Sequence, residues 1–180
     1  MDKDLAYILI GTEEIAKRTA EIGAQLDRDY AGHEPVFVGV LKGSFLFMAD
    51  LVRQTTLHGV VDFMQVSSYG DRATSTTGAV KIVQDLSMSI EGRDVIIVED
   101  ILDSGVTLSY LTKLLWGRNP ASIRIATLLD KPSRRQADIR ADYVGFTVPD
   151  AFVVGYGLDY DQKYRNLPYI GVLKPEIYTN

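Results

Sequence analysis

The 180-residue sequence contains no cysteine. Disulfide bonds and thiolate metal sites are therefore excluded, and the composition suits a reducing cytoplasm. The apolar stretch near the N-terminus is short and follows acidic residues, so we expect neither a secretory signal nor a membrane span. The net charge of −5 provides no excess of basic residues for a broad nucleic-acid surface. We therefore expect a cytoplasmic protein with small-molecule ligands and neither nucleic-acid nor membrane partners.

Two common nucleotide-binding motifs are also missing. The sequence has no G-x-x-x-x-G-K-[ST] loop and no G-x-G-x-x-G fingerprint. Kinase-like and dehydrogenase-like functions thus lose their main support. The length and the 46% hydrophobic content predict one domain over residues 1–180.

The hydrophobic pattern predicts strands that alternate with helices. Helices are predicted for residues 12–30, after Gly43, and for 106–116, and strands for 36–41, 59–69, 80–86, 94–98 and 122–130. This alternation indicates an α/β fold with a mostly parallel central sheet flanked by helices. We expect the core to span about 33–145 and residues 146–180 to form a small C-terminal hood, to which the N-terminus can contribute. The polar stretch 70–79 predicts a mobile loop.

The segment DVIIVEDILDSGVTL carries the densest chemical information. A buried strand leads into three carboxylates and a Gly-bearing turn, which comprise Glu99, Asp100, Asp103, Ser104, Gly105 and Thr107. Hydroxyl groups, a close backbone approach and a helix N-terminus can together bind a phosphate. A capped helix after an acidic strand end would explain the turn alone. The clustered acids favour a site for Mg²⁺ and a ribose diol.

This segment resembles the phosphoribosyl pyrophosphate signature of the phosphoribosyltransferases. Other matching segments follow in the family's order, namely LKGS (41–44), SSYG (67–70), LLDK (128–131) and FVVGYGLDYDQKYRNLPYIGVL (152–173). On these motifs the chain is identified as a member of the hypoxanthine-guanine phosphoribosyltransferase family, in its short bacterial form. The resemblance implies a type I phosphoribosyltransferase fold with a hood and a mobile loop. It also implies Mg²⁺-dependent transfer from phosphoribosyl pyrophosphate to hypoxanthine or guanine, giving IMP or GMP and pyrophosphate; xanthine remains open.

The resemblance further implies a role for each matched residue around the sugar phosphate. Glu99 and Asp100 would hold the ribose hydroxyls directly or through Mg²⁺, and Asp103 would act as general base near purine N7. The 5-phosphate would be wrapped by Ser104, Gly105, Val106 through its N–H only, and Thr107. Lys42 and Gly43 would face pyrophosphate, with a cis peptide bond between Leu41 and Lys42.

Around the purine, the resemblance assigns the remaining roles. Lys131 would donate to O6 and so select 6-oxopurines. Phe152 would stack on the ring, and Val153 would offer backbone groups to its edge. The pyrophosphate side would have Asp159 on a second Mg²⁺ and Arg165 on the leaving group, and the mobile loop would begin at Ser68 and Tyr69.

Two alternatives keep the same signature but differ in function. One is a pyrimidine-linked, RNA-binding regulator with uracil phosphoribosyltransferase activity, and the other is a catalytically silent phosphoribosyl pyrophosphate sensor. The acidic net charge disfavours the first. The resemblance also implies a homodimer or a homotetramer.

Overall fold

The computed structural model describes residues 3–68 and 80–179, without the side chain of Ser68. In these residues the strands are β1 (Leu5–Ile10), β2 (Val36–Leu41), β3 (Val60–Ser68), β4 (Val80–Gln84), β5 (Asp94–Leu102), β6 (Ser122–Asp130), β7 (Tyr143–Thr147), β8 (Val153–Val154) and β9 (Ile170–Leu173). The helices are α1 (Thr12–Asp29), α2 (Phe45–Arg53), α3 (Val106–Trp116) and α4 (Pro175–Tyr178). None of the helices in the described ranges has the length and hydropathy of a membrane span.

A six-stranded sheet forms the centre of the molecule, in the order β4-β3-β2-β5-β6-β7. Its strands run parallel except for the edge strand β4, which is antiparallel to β3. The prediction of a mostly parallel sheet is therefore confirmed. The carboxyl ends of β2, β5 and β6 meet at one edge, where open α/β sheets bind their ligands.

Strand β5 lies at the centre of the core because its apolar residues alternate between both faces of the sheet. Ile96 and Val98 pack into the cluster that contains α1 and α2, and Val95 and Ile97 pack into the cluster that contains α3. On α1 the predicted apolar face is confirmed, since its buried residues include Ile15, Thr19, Ile22 and Leu26. Helices therefore cover both faces of the sheet.

A second, antiparallel sheet of three strands has the order β1-β9-β8. We call this sheet, together with residues 155–169 between β8 and β9, the hood. Strand β1 was not predicted from the sequence, because its short apolar run becomes a strand only by pairing with β9 near the opposite end of the chain. Strands from near the two ends of the sequence thus pair in the hood.

Strand β5 is also longer than the predicted 94–98. It continues through Leu102 because β6 extends equally far beside it, pairing Glu99 with Thr127 and Leu102 with Asp130. The two acids Glu99 and Asp100 consequently lie within a strand, not in a loop. Tyr69 and the predicted mobile loop 70–79 lie outside the described residues.

Candidate active site

A cleft of about 350 Å³ opens at the carboxyl ends of β2 and β5. We call it the strand-end cleft. Its walls come from the turn between β2 and α2, the end of β5, the loop leading into α3, and the hood. The residues identified from the sequence that line it are Lys42, Gly43, Glu99, Asp100, Asp103, Ser104, Gly105, Thr107, Asp159 and Arg165. The fold thus brings together segments that are far apart in the sequence.

The loop 103–105 is fixed by the chain that follows β6. The N–H groups of residues 136–137 donate to Ser104 O at 2.9 and 3.1 Å. Gly105 has a φ of 77°, and a Cβ there would lie 2.6 Å from Ile139 Cγ2. Glycine is therefore required both by the left-handed backbone and by the close packing. The loop leads into α3, whose first N–H groups lack acceptors within the helix and suit an anion.

Val106 is the one residue of the predicted phosphate-binding set that does not line the strand-end cleft. Its N–H lies 3.4 Å from Ser104 Oγ. Because the side chain of Val106 is apolar, the sequence predicted a phosphate contact through its N–H only. The neighbouring Thr107 lines the strand-end cleft.

Glu99 and Asp100 form a half-buried pair of neighbouring acids. Burial raises the pKa of Glu99 well above its usual range, and the negative charge of Asp100 raises it further. Burial also raises the pKa of Asp100, although its carboxylate accepts hydrogen bonds from Glu99 and from the Ile101 N–H, the latter at 2.7 Å. Both acids are therefore harder to ionise than exposed carboxyl groups, and a bound cation would favour their charged forms.

The donor chemistry of this pair fits Mg²⁺. The ion prefers oxygen ligands and is commonly held by one or two carboxylates together with substrate oxygens and water. Within residues 3–68 and 80–179, no three Asp, Glu or His side chains are grouped so that they could hold a metal by themselves. Glu99 and Asp100 thus suit an ion that substrate oxygens also coordinate.

The turn after β2 approaches this acidic pair closely. The peptide bond between Leu41 and Lys42 is cis, as the family resemblance implied. A Cβ at Gly43 would lie 1.5 Å from Asp100 Oδ2, so only glycine lets the turn pass the acid. Lys42 Nζ donates to Gln162 Oε1 of the hood at 3.2 Å. A lysine ammonium and the two acids therefore border the same cleft.

The hood contributes an ion pair to the strand-end cleft. Arg165 Nη2 lies 2.7 Å from Asp159 Oδ1, and Arg165 Nη1 donates to Gly157 O at 2.6 Å. Gly157 has a φ of 101°, and a Cβ there would lie 2.1 Å from Gly43 O. The hood loop therefore passes so close to the turn after β2 that only glycine fits at this position. The positive charge of Arg165 also lowers the pKa of Asp100, against the effect of burial.

A second cleft of about 490 Å³ lies between the hood and the ends of β5 and β6. We call it the hood cleft. The residues identified from the sequence that line it are Asp103, Lys131, Phe152, Val153 and Asp159. Asp103 and Asp159 line both clefts, so the two are adjacent and share an acidic edge.

Lys131 is buried, with 5% of its surface exposed, although a lysine before Pro132 would by itself be expected in solvent. Its Nζ donates to Ala151 O at 2.9 Å and lies 4.0 Å from Asp103 Oδ2 and 3.9 Å from Asp150 Oδ1. The ammonium has three donors, and the carbonyl takes one of them. Lys131 is thus a desolvated donor beside the carboxylate of Asp103.

Asp103 has an oxygen without a donor. Its Oδ1 is buried and accepts no hydrogen bond, although Arg134 Nε forms an ion pair with it at 3.3 Å. A buried acceptor without a donor is costly until a ligand supplies one. An N–H group on a bound base would satisfy it.

Three polar or aromatic residues of the hood cleft were not identified from the sequence, namely Arg134, Asp150 and Tyr178. No motif identifies them, since they come from separate parts of the chain. The only hint in the sequence was that Tyr178 is an aromatic residue in a mostly polar C-terminal stretch. Ser68 ends β3, and neither its side chain nor Tyr69 is among the described parts of the chain.

Comparison with known proteins agrees with this architecture. The family model of the phosphoribosyl transferase domain matches residues 10–161, and the chain belongs to the phosphoribosyltransferase family. It is 58% identical to the hypoxanthine-guanine phosphoribosyltransferase of Bacillus subtilis, over 100% of this chain and 99% of that protein. This similarity confirms the resemblance that the sequence motifs carry.

Solved structures of hypoxanthine phosphoribosyltransferases have the same fold as this chain. A crystal structure of a hypoxanthine phosphoribosyltransferase from Staphylococcus aureus has a TM-score of 0.94 at 55% identity, covering 98% of this chain and 96% of the other. A hypoxanthine-guanine phosphoribosyltransferase from Bacillus anthracis has a TM-score of 0.90 at 46% identity, covering 94% and 99%. The expected type I phosphoribosyltransferase fold is therefore confirmed.

Proposed function

We propose that this chain is an enzyme that transfers the 5-phosphoribosyl group of phosphoribosyl pyrophosphate to hypoxanthine or guanine. The products are IMP or GMP and pyrophosphate, and Mg²⁺ assists the reaction. One observation carries the proposal: the strand-end cleft, which suits phosphate and ribose, adjoins the hood cleft, which suits a purine, and Asp103 lines both. The 58% identical relative from Bacillus subtilis bears the name of this activity.

In the strand-end cleft, the loop 103–105 and the N-terminus of α3 bind the 5-phosphate, with Thr107 as a hydroxyl donor. Glu99 and Asp100 hold the ribose hydroxyls. These two acids would also hold Mg²⁺, which would supply positive charge for the departing pyrophosphate. Lys42 and Arg165 add two cationic side chains at the same cleft.

In the hood cleft, Asp103 accepts the proton from purine N7 as the base attacks the sugar carbon. Lys131 donates to O6, and adenine is rejected because its amino group offers no acceptor there. Phe152 stacks on the purine ring, and the backbone of Val153 contacts its edge. Placement of both reactants along the shared edge supplies much of the rate enhancement.

Several finer assignments remain predictions from the sequence. They are the second Mg²⁺ at Asp159, the closing loop that begins at Ser68 and Tyr69, the homodimer or homotetramer, and the cytoplasmic location. Closure of a loop over the site would exclude water while the sugar carries positive charge.

The test is pyrophosphate release by the purified protein with phosphoribosyl pyrophosphate and Mg²⁺, with each base supplied separately. Turnover with hypoxanthine or guanine, and none with adenine or uracil, is the expected result. Turnover with uracil alone, together with a gel shift of RNA, would favour the regulator. Binding of phosphoribosyl pyrophosphate without turnover of any base would favour the sensor.

A further inference from the structure

Phe152, the proposed stacking partner of the purine, belongs to a cluster of three aromatic rings. The Tyr178 ring lies against it with centroids 4.8 Å apart and an interplanar angle of 22°. The Tyr160 ring meets it at 90° with centroids 5.5 Å apart. Phe152 nevertheless keeps 37% of its surface exposed. A ring held by two neighbours, yet partly open to the cleft, is well prepared to stack on a flat ligand.

Tyr178 is itself a wall of the hood cleft, together with Asp103, Lys131 and Phe152. It is the last residue of α4 and is therefore distant in sequence from every other residue of the cleft. Its ring is half-buried against the apolar centre of the hood, where the side chain of Ile177 also packs. The side chain thus joins the hood interior to the cleft.

The backbone before Tyr178 is anchored at several points. Leu173 N–H donates to Phe152 O at 2.8 Å, which connects the C-terminal segment directly to the stacking residue. Lys174 N–H donates to Asp4 O at 3.0 Å, and Lys174 Nζ donates to Lys3 O at 2.7 Å. These bonds fix the start of α4 and hold Tyr178 beside Phe152.

We infer that Tyr178 is a positioning residue for the purine: its ring holds the Phe152 ring in the plane on which the base stacks. The inference rests on the proposed function, because it assigns the hood cleft to the base. Tyr178 would then set the affinity for the purine and leave the binding of phosphoribosyl pyrophosphate in the other cleft unchanged.

The test is steady-state kinetics on Tyr178→Ala, Tyr178→Leu and Tyr178→Phe in the full chain. An aromatic stack contributes roughly two- to tenfold in affinity, so we expect the KM for hypoxanthine to rise by that factor in the Ala and Leu variants. The KM for phosphoribosyl pyrophosphate and kcat should change less than about twofold. Tyr178→Phe should restore the wild-type KM, since it keeps the ring.

Tyr7→Ala is the matched control, because Tyr7 is an exposed tyrosine of the same hood sheet and lines neither cleft. Its KM for hypoxanthine should match that of the wild type. Thermal melting identifies any variant that loses the fold, and Tyr178→Leu keeps most of the apolar packing. In a double mutant with Phe152→Leu, the effect of Tyr178→Leu should disappear.

Other results would overturn the inference. An unchanged KM for hypoxanthine in both Tyr178→Ala and Tyr178→Leu would show that Phe152 needs no support. A lower KM would show that the Tyr178 ring obstructs the base. A wild-type protein without turnover of any purine would instead reject the proposed function, so the two failures are distinguishable.

Discussion

The two clefts are built in different ways. The strand-end cleft takes most of its polar lining from one continuous stretch, residues 99–107, with additions from the turn after β2 and from the hood. The hood cleft takes its lining from several separated segments, including Lys131 and Arg134, residues 150–153, and Tyr178. A continuous stretch carries its geometry in its own sequence, whereas a cleft assembled from distant segments depends on the whole fold. Substitutions should therefore separate sugar-phosphate binding from base binding, except at residues such as Asp103 and Asp159 that line both clefts.

The largest effect is expected at Asp103. Replacing it by asparagine removes the proton acceptor and keeps the size of the side chain, so we expect kcat to fall about 10²- to 10⁴-fold. The KM for phosphoribosyl pyrophosphate should change little, because the loop 103–105 is held through backbone groups of Ser104. Steady-state kinetics with hypoxanthine measures both quantities.

Asp138→Asn is the control for this substitution, since Asp138 is exposed and lines neither of the two clefts. It should leave kcat unchanged. If Asp103→Asn weakened phosphoribosyl pyrophosphate binding as strongly as it slowed turnover, the assignment of Asp103 as general base would fail.

A smaller, base-specific effect is expected at Lys131. Lys131→Met keeps the apolar stem and removes the donor to O6, so kcat/KM for hypoxanthine should fall about 10- to 100-fold. The preference for hypoxanthine over adenine should fall with it, and the KM for phosphoribosyl pyrophosphate should stay the same. Lys113→Met on the exposed face of α3 is the control. Unchanged discrimination against adenine would exclude Lys131 from base selection.

The difference between the clefts also explains what could be predicted from the sequence. The residues of the strand-end cleft were identified because a buried β-branched strand, two acids and a Gly-bearing turn are local signals. Lys131 and Phe152 were identified by resemblance alone, since a lysine before Pro132 gives no physical reason to expect a buried ammonium. The sequence could not predict that burial, which depends on the approach of Ala151.

The parts of the hood that were missed depend on pairings across the whole chain. Strand β1 forms by pairing Leu5 with Leu173 and Ile10 with Ile170, and no pattern within residues 5–10 specifies this partner. Tyr178 reaches the cleft only because the same pairing fixes the end of β9. These features could not be predicted because they depend on contacts between distant parts of the chain, more than because the local β propensity is weak.

Gly105 offers a test confined to the strand-end cleft. Gly105→Ala places a methyl group at a positive φ and against Ile139, so the loop must shift. We expect the KM for phosphoribosyl pyrophosphate to rise about tenfold, because small displacements of binding groups are costly. Gly92→Ala is a close control: Gly92 has a φ of 69°, but its Cβ would meet nothing within 4 Å.

Both glycine variants should lose about 1–2 kcal/mol of stability from the left-handed backbone, and only Gly105→Ala should lose affinity. Chemical denaturation and kinetics on the same preparations measure the two effects. Equal affinity for phosphoribosyl pyrophosphate in both variants would mean that the contact with Ile139 does not position the loop.

The smallest expected effect is on stability and concerns Glu99. Its raised pKa means that the folded protein keeps a proton that the unfolded chain loses at lower pH, so stability falls as the pH rises between the two pKa values. Glu99→Gln cannot ionise and escapes this cost. At pH 7 and without Mg²⁺ we therefore expect its melting temperature to exceed that of the wild type.

The advantage of Glu99→Gln should shrink toward about pH 4, where the unfolded chain also becomes protonated. Glu91→Gln, at an exposed position in a turn, should melt like the wild type at both pH values. Equal melting temperatures of Glu99→Gln and the wild type at pH 7 would show that the ionisation of Glu99 does not lower the stability of the folded protein. A higher melting temperature of Glu99→Gln at pH 7 that disappears at lower pH would mean that Glu99 destabilises the folded protein. The strand-end cleft would then keep a destabilising acid where the substrate and its cation bind.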